Sequence, residues 1–256
     1  MNDAATERVG SLAWVRRTQG TLTSAERRQL LAGIVKGQSQ YVAGRIKLLT
    51  GRVPPAARGL SANDFTAPDS SFCRGAEAAA LEQSPAVLGH GYRTWLYGHG
   101  LAALDGVDLD PEQFYVSSLL HDYGIESIVA GQDFTLRSAE RALRVASQHG
   151  VAEDVADQVA NAITLHATPG IDVDVDGPLG TYVQLGAMYD LVGLRVGDLP
   201  RSFRDDVHRS HPRDGVTDAI TTLVAAEIKA VPDGRFALLG KCGLIPLMKV
   251  SPHRPR

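Results

Sequence analysis

Apolar residues recur along this chain at the three-and-four spacing of amphipathic helices, and no run alternates like a strand bounded by hairpin turns. Thr23-Ser24-Ala25-Glu26 has the form of a capping box and predicts a helix from there to about Leu48. The residues before it, Met1 to Gly20, read as a loose polar segment. Thr50 to Asp69 contains Pro54, Pro55, Pro68, Gly51 and Gly59 and reads as a surface connection, followed by a short helix from about Ser70 to Glu82. Ser84-Pro85 is a helix start, N-cap then N1 proline, for a helix to about Leu104. Asp110-Pro111-Glu112 repeats that signal for a helix closed by His121-Asp122, with Gly124 as a stop.

Further helices are predicted over about Leu136 to His149, Ala152 to His166, Leu179 to Val196 and Val216 to Ala230. A loop rich in Asp and Gly from Thr168 to Pro178, and a polar stretch from Pro200 to Asp214, separate the later ones. The apolar tail from Phe236 to Val250 reads as a short helix, packed in a dimer interface or on its own core. The fold class is therefore all-α. One domain is expected: an N-terminal helical extension (1–83), a metal-binding core (84–200) and C-terminal helices that complete it (201–256).

Composition narrows the partners. With 256 residues, 44 % hydrophobic and 21 % charged, the chain can bury a full core. A net charge of −3 gives no basic footprint for nucleic acid. No apolar run approaches the ~20 residues of a membrane span, and Met1 to Gly20 lacks a signal-peptide core. Cys73 and Cys242 have no metal-type spacing and form no disulfide framework. A cytoplasmic protein acting on a small-molecule substrate, and forming a homo-oligomer, is the expectation.

The chemistry lies in four helices. His90 falls mid-helix, His121 and Asp122 close the next helix, His166 closes another, and Asp190 sits among Met188, Tyr189, Leu191 and Val192. A carboxylate in such an apolar run is costly to bury unless it is paired or binds a cation. Side chains projecting inward from several helices are how helical proteins build metal sites. A His-His-Asp-Asp set of His90, His121, Asp122 and Asp190 suits a divalent metal: zinc first, with iron, manganese, cobalt or nickel also compatible.

The order His90, His121-Asp122, Asp190 resembles the HD-domain superfamily of metal-dependent hydrolases over roughly Pro85 to Val196. His90-Gly-Tyr-Arg93 with Tyr97-Gly98, Phe134 with Ala139, Ile163-Thr-Leu-His166 and Gln184-Leu-Gly-Ala-Met-Tyr-Asp190 are most similar to its cyanamide hydratase-like branch. The resemblance implies an HD-domain-like helical bundle whose metal is held by His90, His121, Asp122 and Asp190. It also implies an enzyme adding water to a small cyanamide- or nitrile-like group, a hydro-lyase. The pair continues as Asp122-Tyr-Gly-Ile125, without the lysine of Asp-Ile-Gly-Lys, which weakens a phosphate-directed reading. Thr135 and Ser138 stand where that branch favours Glu and Gly. A metal-dependent phosphohydrolase and a di-iron oxygenase remain as alternatives, the latter drawing on His149 and His166.

Four residues are candidates for catalysis: Asp122 for proton transfer, His166 for a second metal or a substrate hydrogen bond, Glu126 as a general acid or base, and Arg93 to orient a ligand carboxylate or the substrate. His99 and His149 read as lying outside the site. Asp172-Val-Asp174-Val-Asp176-Gly177 mimics a calcium loop, but Val183 stands where a bidentate Glu is required. The stretch from Gly234 to Lys241 mimics a phosphate loop, with one residue too many between its glycines and Cys242 in place of the magnesium-binding Ser or Thr.

Overall fold

The structure, a computed structural model, describes residues 7–253. Among them are thirteen α-helices and no β-strand. In chain order these are α1 (Leu12–Thr18), α2 (Ser24–Thr50), α3 (Ser71–Ala80), α4 (Pro85–Asp105), α5 (Pro111–Leu120), α6 (Phe134–Gln148) and α7 (Glu153–Leu165). After these come α8 (Val173–Asp176), α9 (Pro178–Val192), α10 (Arg201–Ser210), α11 (Val216–Ala230), α12 (Arg235–Lys241) and α13 (Leu244–Lys249). No helix among the described residues is long and apolar enough to cross a membrane.

The expected start signals operate as hydrogen bonds. Thr23 Oγ1 accepts the Glu26 N–H at 3.2 Å while Glu26 Oε2 accepts the Thr23 N–H at 2.7 Å, the two halves of a capping box. Asp110 Oδ1 accepts the Gln113 N–H at 2.9 Å and opens α5. Ser84 precedes Pro85 as expected, but its hydroxyl caps nothing.

The helices α4 and α9 form the centre. Both are mostly apolar around their whole circumference, as suits helices enclosed by others; Tyr97, Leu101, Tyr182, Val183 and Tyr189 are all buried, and the ionisable residues His90, Arg93 and Asp190 are buried among them. They approach closely because Gly186 has no side chain: a Cβ there would lie 2.1 Å from the Thr94 carbonyl oxygen. The amphipathic α7 packs on α9 and α6 packs on α7, and the two face the core through Ala139, Ala142, Val159 and Ile163.

Three expectations change. The stretch expected to be loose contains α1, whose first six preceding residues lie outside the described part. Ser11 Oγ caps α1 by accepting the Trp14 N–H, and Trp14 and Val15 are fully buried. The polar stretch after Pro200 contains α10, held by just Phe203 and Val207, four apart on one face. The helix carrying Asp190 stops at Val192, because Gly193 takes a left-handed conformation (φ 76°).

The apolar tail packs on its own core. It breaks at Gly243 into α12 and α13, buries Leu244 and Met248, and sets Phe236 edge-on to Phe134 with ring centroids 5.1 Å apart. Arg235 at its start is fully buried. Its guanidinium donates to Asp133 Oδ2 (2.8 Å), Thr135 Oγ1 (2.8 Å), the Thr164 carbonyl (2.6 Å) and Thr168 Oγ1 (2.8 Å) and stacks on Trp14. One cation thereby ties α1, α6, α7 and α12 together. The calcium-loop mimic is neutralised by cations: Asp176 holds Arg8 through both oxygens, and Asp172 pairs with Lys36 at 3.0 Å.

Candidate metal centre

The His-Asp pair is placed by a change of backbone conformation. His121 continues the helical turn of α5, and Asp122 then takes φ −104°, ψ 7°, swinging its carboxylate back beneath the helix end. A short 3₁₀ turn, Tyr123–Glu126, follows and lies against the start of α6. Gly124 permits that contact, since a Cβ there would meet the Phe134 carbonyl oxygen at 2.2 Å. Its N–H donates to Ser138 Oγ at 2.8 Å. Ser138 is therefore used, as the hydroxyl that anchors the turn after the pair.

Four side chains converge. His90 Nε2 and His121 Nε2 lie 3.6 and 3.4 Å from Asp122 Oδ2, and His166 Nε2 lies 3.5 Å from Asp122 Oδ1. The donor atoms of His90, His121 and Asp122 all lie within 4.8 Å of one another. All four residues are buried.

Each imidazole is oriented through its other nitrogen. His121 Nδ1 donates to the Ser118 carbonyl at 2.7 Å, His166 Nδ1 to the Ile163 carbonyl at 2.5 Å, and His90 Nδ1 to Asp190 Oδ2 at 2.8 Å. A carbonyl only accepts, so Nδ1 of His121 and of His166 carries the hydrogen, and in the neutral ring Nε2 presents a lone pair. Burial, against the pull of Asp122, lowers the His121 pKa to about 3, so this ring is neutral at ordinary pH. Burial alone would raise the Asp122 carboxyl, but His121, His166 and His90 around it outweigh that and hold it below the usual carboxylate range.

These facts fit a cation. The Nε2 atoms of His90 and His121 are buried without a hydrogen-bond partner, and such orphans are rare without a reason. Two lone pairs and a carboxylate facing each other are satisfied together by one positive ion. The two separations from Asp122 Oδ2, 3.6 Å to His90 Nε2 and 3.4 Å to His121 Nε2, are close to the edge of about 3.3 Å for a tetrahedron with zinc–nitrogen bonds of about 2.0 to 2.1 Å. A buried His90–His121–Asp122 group can thus hold a metal ion, with His166 as the nearest further donor.

Asp190 is placed differently from the expectation. Its Oδ2 holds His90 Nδ1, and its Oδ1 accepts Arg93 Nε at 2.9 Å together with the Arg213 guanidinium. Both oxygens are engaged behind His90, on the side away from the cluster. Burial would raise this carboxyl, but Arg213 and Arg93 hold it well below its ordinary value. The arrangement is a buried carboxylate orienting an imidazole of the group that can hold a metal. Arg93 also donates to the Pro212 carbonyl at 2.9 Å and orients Asp190 without reaching the open side of the cluster. Arg213 was not foreseen: it stands in the irregular segment after α10, and no local pattern ties it to Asp190.

Neither known protein families nor curated protein sequences give a match to this chain.

Glu126 is not at the centre. It is exposed, and its Oε2 accepts the Ser84 N–H at 2.9 Å, so it caps α4 in place of the Ser84 hydroxyl. His99 is enclosed by Phe65, Trp95 and Phe114, and His149 is exposed at the end of α6 against Gly75. Both lie outside the cluster, which leaves His166 as the one further imidazole there.

A cavity of about 270 Å³ opens over the four residues, with His90, His121, Asp122 and His166 in its lining. Its other walls come from α2, α9, α12 and α13 and are mostly apolar. Gln184 supports its floor by donating to the His166 and Thr168 carbonyls at 2.7 Å each. Lys36 is the one lysine or arginine in the lining, and it pairs there with Asp172.

Proposed function

We propose that this protein is a metal-dependent enzyme that adds water to a compact, uncharged substrate, with a cyanamide- or nitrile-like C–N group as the first candidate. One observation carries the reading: three buried imidazoles, each held through Nδ1, turn Nε2 toward one buried carboxylate at the bottom of a cavity. The residue order that resembles the HD-domain hydrolases supports the same class of chemistry. His90 Nε2, His121 Nε2 and Asp122 Oδ2 would hold the metal, zinc first among the ions this donor set accepts. A divalent ion there supplies Lewis acidity and makes hydroxide accessible near neutral pH.

The remaining work falls to the chain. Hydration of a carbon–nitrogen triple bond first forms one C–O bond, breaks one C–N π bond and one O–H bond of water, and carries that proton to nitrogen; the hydroxyl proton of the resulting imidic acid then passes to nitrogen as the second C–N π bond gives way to C=O, with no redox change. Asp122 Oδ1 and His166 Nε2, 3.5 Å apart and both in the cavity lining, are the groups placed to take that proton and return it. The Asp190–Arg93–Arg213 cluster keeps His90 in the tautomer that offers Nε2. The apolar walls exclude bulk water from the charged floor.

A phosphohydrolase is supported less well, because a phosphate would meet no lysine or arginine in the lining except Lys36, already neutralised by Asp172. Protein shown to contain metal should convert cyanamide or small nitriles to the corresponding urea or amide, read by NMR. No turnover of any hydratable C–N substrate, alongside hydrolysis of a phosphate monoester, would refute the proposal.

A further inference from the structure

The walls of the cavity carry information that its donor set does not. We infer that the substrate has an apolar body of about ten non-hydrogen atoms and a single uncharged reactive group, and that the body lies against α2, α9, α12 and α13. This deepens the hydration reading above and rests on it for the identity of the reactive end.

Size comes first. A closed apolar cavity of about 150 Å³ holds a benzene ring. The cavity here, about 270 Å³, scales to roughly ten carbon atoms on that comparison. A three-atom molecule such as cyanamide would leave most of it empty of partner atoms, losing the dispersion contacts that close packing supplies.

Lining comes second. Ile34 from α2, Met188 and Leu191 from α9, Phe236 and Leu239 from α12, and Leu247 from α13 face the space above the floor. The cluster supplies the convergent polar groups at the floor, while Gln184, Thr181, Tyr41 and Gln38 add scattered polar atoms to a lining that is otherwise mostly apolar, so a bound molecule meets one reactive end and mainly hydrocarbon beyond it. That is the usual build of a small-molecule site: an apolar enclosure with a few convergent polar groups.

Charge comes third. Lys36 and Asp172 at the rim, 3.0 Å apart, cancel each other. The buried Arg93 and Arg213 are committed to Asp190, and Arg235 to Asp133, and none of the three lines the cavity. An anionic group on the body would enter hydrocarbon with no counter-charge, which is costly.

The test uses the full chain loaded with zinc and a series of straight-chain nitriles from two to twelve carbons. Calorimetric affinities should tighten by about fourfold per methylene and stop improving at about ten carbons. Nitriles of equal length carrying a carboxylate or phosphate at the far end of the chain, away from the zinc, should bind at least about tenfold more weakly. Leu239→Trp, which fills the wall at a half-buried position, should move the cutoff several carbons shorter with zinc content unchanged. The same slope should persist in metal-free His121→Ala protein, because the walls are intact there. A flat dependence on chain length, or tighter binding of the nitriles with a charged far end than of the plain ones, overturns the inference. The two proposals separate cleanly: a steep slope without turnover refutes the hydration chemistry alone, and turnover of cyanamide with no slope refutes the apolar-body inference alone.

Discussion

Replacing Asp190 with asparagine separates a residue that orients a ligand from one that is a ligand. Asp190 and Arg93 are fully buried and the Arg213 side chain is 6 % exposed. Removing the negative charge leaves two buried guanidinium groups without a counter-ion, a loss on the order of 3 to 5 kcal/mol. Asn has one acceptor oxygen, and the arginines compete for it. Its NH₂ group then faces His90 Nδ1, which must become the acceptor, so the hydrogen moves to Nε2. That is the wrong tautomer for holding a metal. The metal affinity should fall about 10- to 100-fold, as it does when groups behind a metal ligand are removed. Urea unfolding of metal-free protein measures the first effect, and competition with a chromophoric chelator the second. Metal-free Asp190→Asn protein as stable as wild type, but unable to bind metal at all, would refute this reasoning and make Asp190 a direct ligand.

Other perturbations test other parts of the account. Glu227 is buried beside Asp133 and accepts the Phe134 N–H, and burial raises its pKa from an ordinary 4.5 to about 7. The folded state therefore keeps a proton that the unfolded chain releases, and this group's contribution to stability is lost as pH rises from about 4.5 to 7. The difference amounts to ~3 kcal/mol, so Glu227→Gln should gain stability over wild type at pH 8 and show no such gain at pH 4; a pH-independent difference in urea midpoints would contradict it. Gly186→Ala drives a Cβ into the Thr94 carbonyl and should cost at least about 2 kcal/mol by thermal unfolding. Gly59→Ala, with open space around it, is the control that should not. Glu126→Gln should leave metal content and turnover unchanged and cost about 1 kcal/mol as a weakened cap on α4; a collapse of turnover would return Glu126 to the reacting atoms.

The helices were legible where their signals are local. Thr23 with Glu26, Ser84-Pro85 and Asp110-Pro111 mark starts because caps act within one turn. His90, His121, Asp122 and His166 could be selected because ionisable groups in apolar runs need a partner. What those groups touch was not legible. Asp190 has the same sequence setting whether it meets a metal or an arginine, and Arg213 reaches it from an irregular segment that periodicity does not describe. The bond from Glu126 to Ser84 is equally long-range. The short helix α10 escaped because Phe203 and Val207 are its whole buried face. The left-handed Gln19 that closes α1 stands where a glycine would have signalled the stop. Arg235 and Asp133 are far apart in the chain, and neither carries a local sign of its partner.

The central claim is that the Nε2 atoms of His90 and His121 converge with Asp122 to hold a metal. Elemental analysis tests it most directly, on full-length protein purified without chelators or a metal-affinity tag, beside a His121→Ala control. The account predicts about one divalent ion per chain, zinc foremost, lost in His121→Ala, because the three donors that lie within reach of one another then fall to two. Wild-type protein that holds no metal after incubation with zinc, or His121→Ala protein that holds as much as wild type, would contradict it.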